Sequence, residues 1–371
     1  MAASDSPDIS EYMPTLTPSF EGVTPIWEYL RNAGRPIVLY GTGNGADKIL
    51  DVLSRYGLSA SGIFASDGFV RNRSFRDLPV ENYETLKARF PDMIVLVAFG
   101  TGRKEVLDNI DRIAGECEVF APDVPVYGKN LFDRDFYFSH ETELSRAGAM
   151  LEDDLSRATF KALLSYKLSG DYRLLRPVAC PSEEISELLS PGEGTFVDLG
   201  AYTGDTVSFY TSLFSKFTRV LAVEPDPRNF RKLTENTKDI PDIRLLQALI
   251  SDHDGTGLVP KNRGRGVHEM DPEENGMKIP SFSLSSLLSD ETPSLIKFDV
   301  EGNELSAICG GADVISRDKP DLIVSCYHRS EDLFTLPLKI LEIVPEYHVF
   351  LRHHPHLLCW DTEYIFTRRP R

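Results

Sequence analysis

The chain has 371 residues, of which 41% are hydrophobic and 26% are charged, so it has the composition of a globular protein with room for two domains. Its formal net charge of −17 argues against a nucleic acid as the partner, and its longest apolar run, Met93–Phe99, is too short to span a membrane. The five cysteines are widely spaced and form no C-x-x-C pair, so we expect free thiols and a cytoplasmic location.

The first part of the chain is predicted to be a leader followed by a small domain. Residues 1–23 are acidic, contain Pro7, Pro14 and Pro18 and have no basic residue, so they are predicted to be a flexible leader. Residues 24–129 are predicted to form a small Rossmann-like α/β domain, because strands alternate with helices there. The predicted strands are Pro36–Tyr40, Ala60–Phe64, Met93–Phe99 and Glu118–Phe120.

A glycine-rich turn, GTGNGA, follows the first of these strands and precedes a helix. It fits the dinucleotide-binding pattern G-x-G-x-x-A through Gly41, Gly43 and Asn44, and Asp67 lies near the end of the second strand. We therefore consider a nucleotide site there. The alternatives are a turn that binds sugar nucleotides and a degenerate turn that binds nothing.

Residues 130–193 have a different character and are predicted to form a helical connector. Helices are predicted at Ser139–Met150, Leu151–Leu168 and Ser182–Leu189, with breaks at Ser169-Gly170, Pro177 and Pro181. We expect this connector to pack on the C-terminal part of the chain and to cover its pocket.

Residues 194–371 are predicted to form a second and larger α/β domain. The short link from His353 to Asp361 indicates a terminal hairpin, which predicts a seven-stranded sheet with one antiparallel edge strand, the Rossmann-like methyltransferase architecture. The predicted strands are Thr195–Leu199, Arg219–Val223, Ile243–Ile250, Ser294–Asp299, Asp321–Cys326, Tyr347–Arg352 and Glu363–Arg368.

The strongest functional signal is the turn after the first of these seven strands. Asp198 lies at the end of the strand, and Gly200 and Gly204 let the backbone turn tightly and approach a ligand. The next helix presents free N–H groups at the same place. Glu224 ends the second strand, about 20 residues further on, where a carboxylate can bind ribose hydroxyls. The form D-x-G-x-x-x-G favours S-adenosylmethionine over NAD or ATP.

Four motifs of this region resemble the FkbM-type family of S-adenosylmethionine-dependent methyltransferases. They are VDLGAYTGDT from Val197, VLAVEPDPRNFRKLTEN from Val220, ALISDHDG from Ala248 and LIKFDVEGNELSAICGG from Leu295. The resemblance extends from Gly194 to about Arg369, and it is most specific at Lys297–Gly302. One departure is Tyr202, where the family usually has asparagine.

The resemblance implies roles for residues around the cofactor. Asp198 faces the methionine ammonium and Glu224 holds the ribose hydroxyls. The backbone cradle consists of Gly200, Ala201 and Gly204, with Tyr202 beside the methionine end of the cofactor. Ser251 and Asp252 contact the adenine, unless Asp252 is an exposed turn residue.

Candidate catalytic residues follow the fourth and fifth strands, whose carboxyl ends meet at the edge where open parallel sheets bind ligands. Asp299 faces the sulfonium or the acceptor, and Glu301 orients the acceptor or caps the next helix. His328 is a candidate general base because histidine ordinarily titrates near neutrality, and Asp332 is placed to orient it. The alternative is a structural role, in which His328 is a loop residue that precedes a helix with a side-chain N-cap.

The sequence also offers candidate metal ligands and a candidate lid segment. We predict no metal site from the histidine-rich loop, where His353 is instead a candidate acceptor contact, while Asp299 and Glu301 offer oxygen ligands of the kind Mg²⁺ prefers. The polar stretch Lys261–Lys278 is a lid over the acceptor or a solvated surface loop.

The sequence therefore predicts an S-adenosylmethionine-dependent methyltransferase. The family resemblance implies O-methylation of a hydroxyl on a sugar, a glycan precursor or another small natural product, and self-association is possible. Two other classes stay open. One is an NAD(P)-dependent or sugar-nucleotide-binding enzyme that works through the GTGNGA turn, and the other is a non-catalytic module that only binds the cofactor.

Overall fold

The computed structural model describes residues 23–66, 74–260 and 276–368. Within them the chain forms an N-terminal α/β sheet, a set of helices and a C-terminal α/β sheet with a small third sheet beside it. The leader up to residue 22, Asp67 and residues 261–275 of the candidate lid lie outside the described residues. The domain boundaries stay predictions.

The N-terminal sheet has six strands in the order β3-β4-β2-β1-β5-β6. The four predicted strands are confirmed, and they pair in parallel. The β3–β4 hairpin has little sequence signal because its strands have two and four residues and one contains Pro79. The strands are β1 Ile37–Tyr40, β2 Gly62–Phe64, β3 Ser74–Phe75, β4 Leu78–Glu81, β5 Ile94–Val97 and β6 Glu118–Phe120, and the helices are α1 Ile26–Ala33, α2 Asn44–Arg55, α3 Tyr83–Arg89 and α4 Lys104–Ala114.

The connector is helical as predicted, and it packs on the outer edge of the C-terminal sheet. Ser156 of the long helix accepts a hydrogen bond from the Leu351 amide at 3.0 Å, and two isolated bridges join residues 151 and 179 to the same edge strand. Its contacts therefore protect a strand edge that could otherwise pair with another chain. The elements are α5 Arg134–Ser139, α6 Glu141–Ala149, α7 Asp154–Ser169, a 3-10 helix at Tyr172–Val178 and α8 Ser182–Ser186.

The C-terminal sheet has the seven predicted strands, in the order β15-β16-β14-β13-β7-β8-β9. The antiparallel strand β16 lies between β14 and β15, so it is one place in from the edge, which corrects the prediction of an antiparallel edge strand. The strands are β7 Gly194–Leu199, β8 Phe217–Val223, β9 Ile243–Leu246, β13 Pro293–Phe298, β14 Asp321–Ser325, β15 His348–His353 and β16 Thr362–Thr367.

The predicted strand Ile243–Ile250 is in fact two strands in different sheets. β9 ends at Leu246, and Leu249–Ser251 forms β10 of a three-stranded sheet with β11 Gly255–Pro260 and β12 Gly276–Ser283. The helices of this part are α9 Asp205–Leu213, α10 Pro227–Asn236, α11 Leu284–Leu287, α12 Glu304–Cys309, α13 Ala312–Asp318 and α14 Asp332–Ile343.

One hydrophobic core joins the three parts of the chain. The largest cluster of buried residues includes Val38 of β1, Leu163 of α7 and Phe366 of β16. An ion pair of Lys167 with Asp123 at 2.9 Å is also buried between these parts. Among the described residues, no helix is long and apolar enough to cross a membrane.

Candidate active site

The glycine turn after β7 is shaped by close contact with the neighbouring strand. Gly200 has a φ of +86°, and a Cβ at this position would overlap with the Asp299 carbonyl oxygen, so only glycine fits. The amides of Gly200 and Ala201 both donate to Val223 O at 2.9 Å, which fixes the turn against β8. Helix α9 then begins after Gly204 without a side-chain cap. Its first N–H groups thus face the turn.

Asp198 lies beneath this turn and is fully buried. Its Oδ2 accepts a hydrogen bond from the Thr206 hydroxyl, but its Oδ1 has no hydrogen-bond partner among the described residues. Burial raises the pKa of Asp198 to about 6, although the Lys297 ammonium acts in the opposite direction. A buried carboxylate oxygen without a partner is costly, so a cationic ligand group would stabilise it.

Glu224 follows β8 and comes to the same turn. Its carboxylate accepts hydrogen bonds from the Tyr202 amide at 3.0 Å and from the Asp226 amide at 2.8 Å. Burial raises the pKa of Glu224 to about 7 despite these amides. Tyr202 has a φ of +47° and a half-exposed ring, so the residue that departs from the family pattern lines the open side of the turn. The structure thus brings Asp198, Glu224 and the glycine turn together, as predicted.

The predicted adenine contacts lie beside α12. The Asp252 amide donates to Ser306 Oγ at 3.0 Å, and the exposed Asp252 carboxylate accepts a hydrogen bond from Ser251 and lies 2.6 Å from His253 Nδ1. Their adenine role stays a prediction. Because β9 ends early, Gln247 is the residue that directly follows the third strand, and its amide donates to Pro225 O at 3.4 Å, next to Glu224. Sequence reasoning missed it because the strand was expected to continue to Ile250.

Asp299 follows β13 and is paired with a buried lysine of that strand. Lys297 Nζ donates to Asp299 Oδ2 at 2.8 Å, and Tyr327 OH donates to Oδ1 at 3.3 Å. Burial acts to raise the pKa of Asp299, but Lys297 and His328 outweigh it and hold this pKa below its ordinary value. The side chain is 26% exposed, so Asp299 is an ionised group that a ligand can reach.

His328 is fully buried and lies three residues beyond the end of β14. Its Nδ1 lies 2.9 Å from Glu304 Oε1, and its Nε2 lies 3.5 Å from Asp299 Oδ1 and 3.6 Å from Glu301 Oε2. Burial alone would lower the pKa of His328, but the three carboxylates raise it to about 10. His328 is therefore an imidazolium at neutral pH, which speaks against the predicted general base with an ordinary pKa.

Glu304 is the group that sequence reasoning missed in this cluster. It is fully buried, and its Oε1 accepts hydrogen bonds from the amides of Val300 at 2.9 Å and Gly302 at 3.3 Å. In the sequence, Glu304 could have been recognised as the third acid of the D-x-E-x-x-E pattern that begins at Asp299. The side chain of Glu301, by contrast, is 41% exposed at the rim of the site.

Two residues predicted near the acceptor have other contacts. Asp332 accepts a hydrogen bond from the Arg329 amide at 2.8 Å, and burial raises the pKa of Asp332 to about 8. The carboxylate that contacts the His328 ring is that of Glu304 and not that of Asp332. His353 is buried in the β15–β16 hairpin, with Nδ1 2.9 Å from Thr362 Oγ1. Burial lowers the pKa of His353 to about 3. These contacts favour structural roles for both residues.

The GTGNGA turn has the predicted backbone layout, with β1 before it and α2 beginning at Asn44 after Gly43 as N-cap. Its crevice is filled by the protein itself. A Cβ on Gly41 would lie 2.7 Å from the Phe99 ring, and a Cβ on Gly100 would lie 2.5 Å from both His356 and Trp360 of the β15–β16 loop. The cavity that is left, lined by Ala98 and Trp360 among others, measures about 20 Å³ and holds about one water molecule.

The C-terminal sheet order, the glycine turn after its first strand and the acid after its second define the class of Rossmann-like methyltransferases. Residues 198–350 match the family model of the methyltransferase FkbM domain. The fold of the whole chain resembles the crystal structure of the methyltransferase FkbM from Methylobacillus flagellatus, with a TM-score of 0.69 and 24% identity. The match covers 93% of this chain and 94% of that one.

Two curated proteins are similar to the C-terminal part. The hexuronic acid methyltransferase AglP of Haloferax volcanii is 30% identical over 113 residues, which are 29% of this chain and 47% of AglP. The chain thus spans about half the length of this relative. The 2-O-methyltransferase NoeI of Sinorhizobium fredii is 24% identical over 189 residues, which are 44% of this chain and 76% of NoeI.

Proposed function

We propose that the protein uses S-adenosylmethionine to methylate a hydroxyl oxygen on a sugar, a glycan precursor or another small natural product. The observation that carries the proposal is the unpartnered, buried Oδ1 of Asp198 beneath a glycine turn that Glu224 also reaches. Support for a sugar comes from the relatives, because one is named as a hexuronic acid methyltransferase and the other as a 2-O-methyltransferase.

The residues around the turn fit this cofactor. Asp198 Oδ1 would hold the methionine ammonium, and the first N–H groups of α9 would face its carboxylate. Glu224 would accept hydrogen bonds from the ribose hydroxyls with the lone pairs that its three amide partners leave, and Gln247 lies beside it for the adenosine. When bound, the cofactor supplies a methyl group on a positively charged sulfur.

The acceptor would lie over Asp299, at the same edge of the sheet. Because Lys297 keeps this carboxylate ionised, Asp299 accepts a hydrogen bond from the acceptor hydroxyl and directs its oxygen towards the methyl group. The proton passes to Asp299 or to solvent, since the buried imidazolium of His328 has no lone pair to receive it. Glu301 lies at the rim and would orient the sugar.

Calorimetry with S-adenosylhomocysteine tests the cofactor half of the proposal. We expect one site on the wild-type protein, weaker binding to Asp198→Asn and no heat with NADH. Binding of NADH without binding of S-adenosylhomocysteine would instead support the oxidoreductase alternative. Transfer of a labelled methyl group to a panel of uronic acids and neutral sugars tests the acceptor half, and binding without any transfer would support a non-catalytic module.

Three further statements stay predictions. A cytoplasmic location rests on the spacing of the five cysteines, and the lack of a nucleic acid partner rests on the acidic charge. Self-association also stays a prediction, because none of the described contacts bears on it.

A further inference from the structure

A compact group of metal-ligating side chains lies where the acceptor is expected. Asp299, Glu304 and His328 each offer a ligand atom within 4.8 Å of those of the other two. They come from the carboxyl ends of β13 and β14 and from the first turn of α12. These three segments are fixed by the sheet and by the helix that follows β13, so the group is preorganised.

Several polar atoms of this group have no satisfactory partner. Glu304 and His328 are both fully buried. Among the described residues, Glu304 Oε2 and both ring nitrogens of His328 lack a hydrogen bond of good geometry, although Nδ1 lies close to Glu304 Oε1. Buried polar atoms without a partner are rare, and an ion is one of the few groups that explains them.

Two carboxylates lie on the Nε2 side of the His328 ring. Asp299 Oδ1 is 3.5 Å and Glu301 Oε2 is 3.6 Å from Nε2. A cation bound at Nε2 would therefore lie beside both carboxylates.

We propose that this cluster binds one divalent transition-metal cation, of the Mn²⁺, Fe²⁺ or Zn²⁺ type. The ligands are Asp299 and His328 Nε2, whose proton the metal displaces into solvent, and Glu301 reaches the ion from the exposed side. Glu304 lies behind the ring at Nδ1, where a carboxylate fixes the tautomer and orientation of a metal-bound histidine. An imidazole ligand suits these metals better than Mg²⁺, which prefers oxygen ligands and keeps several waters. The cluster thus differs from the Asp299 and Glu301 pair that the sequence offers for Mg²⁺.

Metal binding itself does not depend on the proposed function, but its role does. A cation at Nε2 would bind the acceptor hydroxyl and lower its pKa. The hydroxyl proton goes to solvent, and the oxygen uses the freed electron pair to form the C–O bond with the methyl carbon. The C–S bond breaks and its electron pair stays on sulfur, so no oxidant or reductant is needed.

Calorimetric titration of MnCl₂ into the full-length protein tests the site, after treatment with EDTA and removal of the chelator. We expect one Mn²⁺ per chain in the absence of any cofactor. His328→Gln should weaken Mn²⁺ binding at least about 100-fold, and Glu304→Gln about 10–100-fold. His348→Gln is the matched control, because His348 pairs with Glu152 outside the cluster, and it should bind Mn²⁺ like the wild type.

A spectroscopic measurement keeps the proposal testable if the variants fail to fold. Electron spin echo modulation of Mn²⁺ in the wild-type protein should show an imidazole nitrogen, since His328 is the predicted ligand. No Mn²⁺ binding at millimolar concentration, or binding without a nitrogen signal, would overturn the proposal. S-adenosylhomocysteine titrated into the same metal-free protein separates the two ideas, because binding of this ligand without Mn²⁺ leaves the methyltransferase proposal standing and removes only the metal.

Discussion

The two glycine turns of this protein have the same local layout and different surroundings. Each follows a buried parallel strand and precedes a helix. The N-terminal turn packs against Phe99, and Trp360 lies against Gly100 and lines the same cavity, whereas the C-terminal turn lies beside the buried carboxylates of Asp198 and Glu224. The comparison teaches that glycine spacing predicts a turn, and that unpartnered polar groups beside the turn indicate a ligand.

The largest expected effect concerns the acceptor side of the C-terminal site. Asp299→Asn should lower turnover by about 10²–10⁴-fold, because the amide cannot accept the hydroxyl proton and no longer pairs with Lys297. Rates of methyl transfer to the best acceptor measure this, with S-adenosylhomocysteine affinity as the internal control. A near-normal rate would exclude Asp299 from the catalytic step.

Alanine substitutions compare the two turns directly. Gly200→Ala forces a side chain into the Asp299 carbonyl at a φ of +86°, so we expect a loss of about 2–4 kcal/mol in the free energy of unfolding. Gly43→Ala is the matched variant, because nothing lies within 4 Å of the added Cβ. Urea denaturation measures both. Equal losses in the free energy of unfolding for Gly200→Ala and Gly43→Ala would contradict the structural difference between the two turns.

Removal of the Glu224 carboxylate should weaken binding of the cofactor. Glu224→Gln is expected to reduce S-adenosylhomocysteine affinity by about 1–3 kcal/mol, the loss associated with hydrogen bonds to a charged group. Glu235→Gln is the control, since Glu235 is an exposed carboxylate on α10 of the same domain. Calorimetry on both variants measures the difference, and an unchanged affinity for Glu224→Gln would remove this residue from the site.

The smallest expected effect is on the pH dependence of cofactor binding. The pKa values of Asp198 and Glu224 are raised to about 6 and about 7, and both groups are proposed to bind in the ionised form. Affinity for S-adenosylhomocysteine should therefore fall by about fourfold between pH 7.5 and 6.5, as each carboxylate takes up a proton. Glu224→Gln should flatten this profile. A profile that is level in the wild type would show that neither carboxylate titrates in this range.

The same raised pKa values make the stability of the fold decrease with pH, whereas they make cofactor affinity increase with pH. A carboxyl group whose pKa is higher in the folded than in the unfolded state stabilises the fold at low pH, and this contribution is lost as pH rises through the folded pKa. His328 also stabilises the fold at low pH, because its pKa of about 10 lies above the ordinary value of histidine. The contributions of Asp198 and Glu224 should thus be lost between about pH 4 and pH 7, and that of His328 between about pH 6.5 and pH 10. His328→Gln should therefore reduce the decline in the free energy of unfolding above pH 7.

Much of the fold could be predicted from sequence, because buried parallel strands are continuous apolar runs such as Ile37–Tyr40 and Ile94–Val97. The sequence did not indicate that β16 inserts beside β14, since strand order depends on contacts between distant segments. It also did not separate β9 from β10, because Gln247 and Ala248 interrupt the apolar run without a glycine or proline.

The candidate site was predictable in part for a related reason. Asp198, Glu224 and Asp299 meet because the carboxyl ends of parallel strands share one edge. The charge of His328 could not be read from its own position, since it depends on burial and on contact with Glu304. The GTGNGA turn likewise gave no sign that a loop from the far end of the chain fills its crevice.

The β15–β16 loop also determines how the chain can be divided. Trp360 and His356 lie against Gly100, and the Leu357 amide donates to Thr101 O at 2.9 Å. A truncated protein that begins at residue 194 would leave this aromatic tip in water and would remove the connector that covers the outer edge of strand β15. Separate expression of the two halves should consequently yield insoluble material, while co-expression should restore a soluble pair.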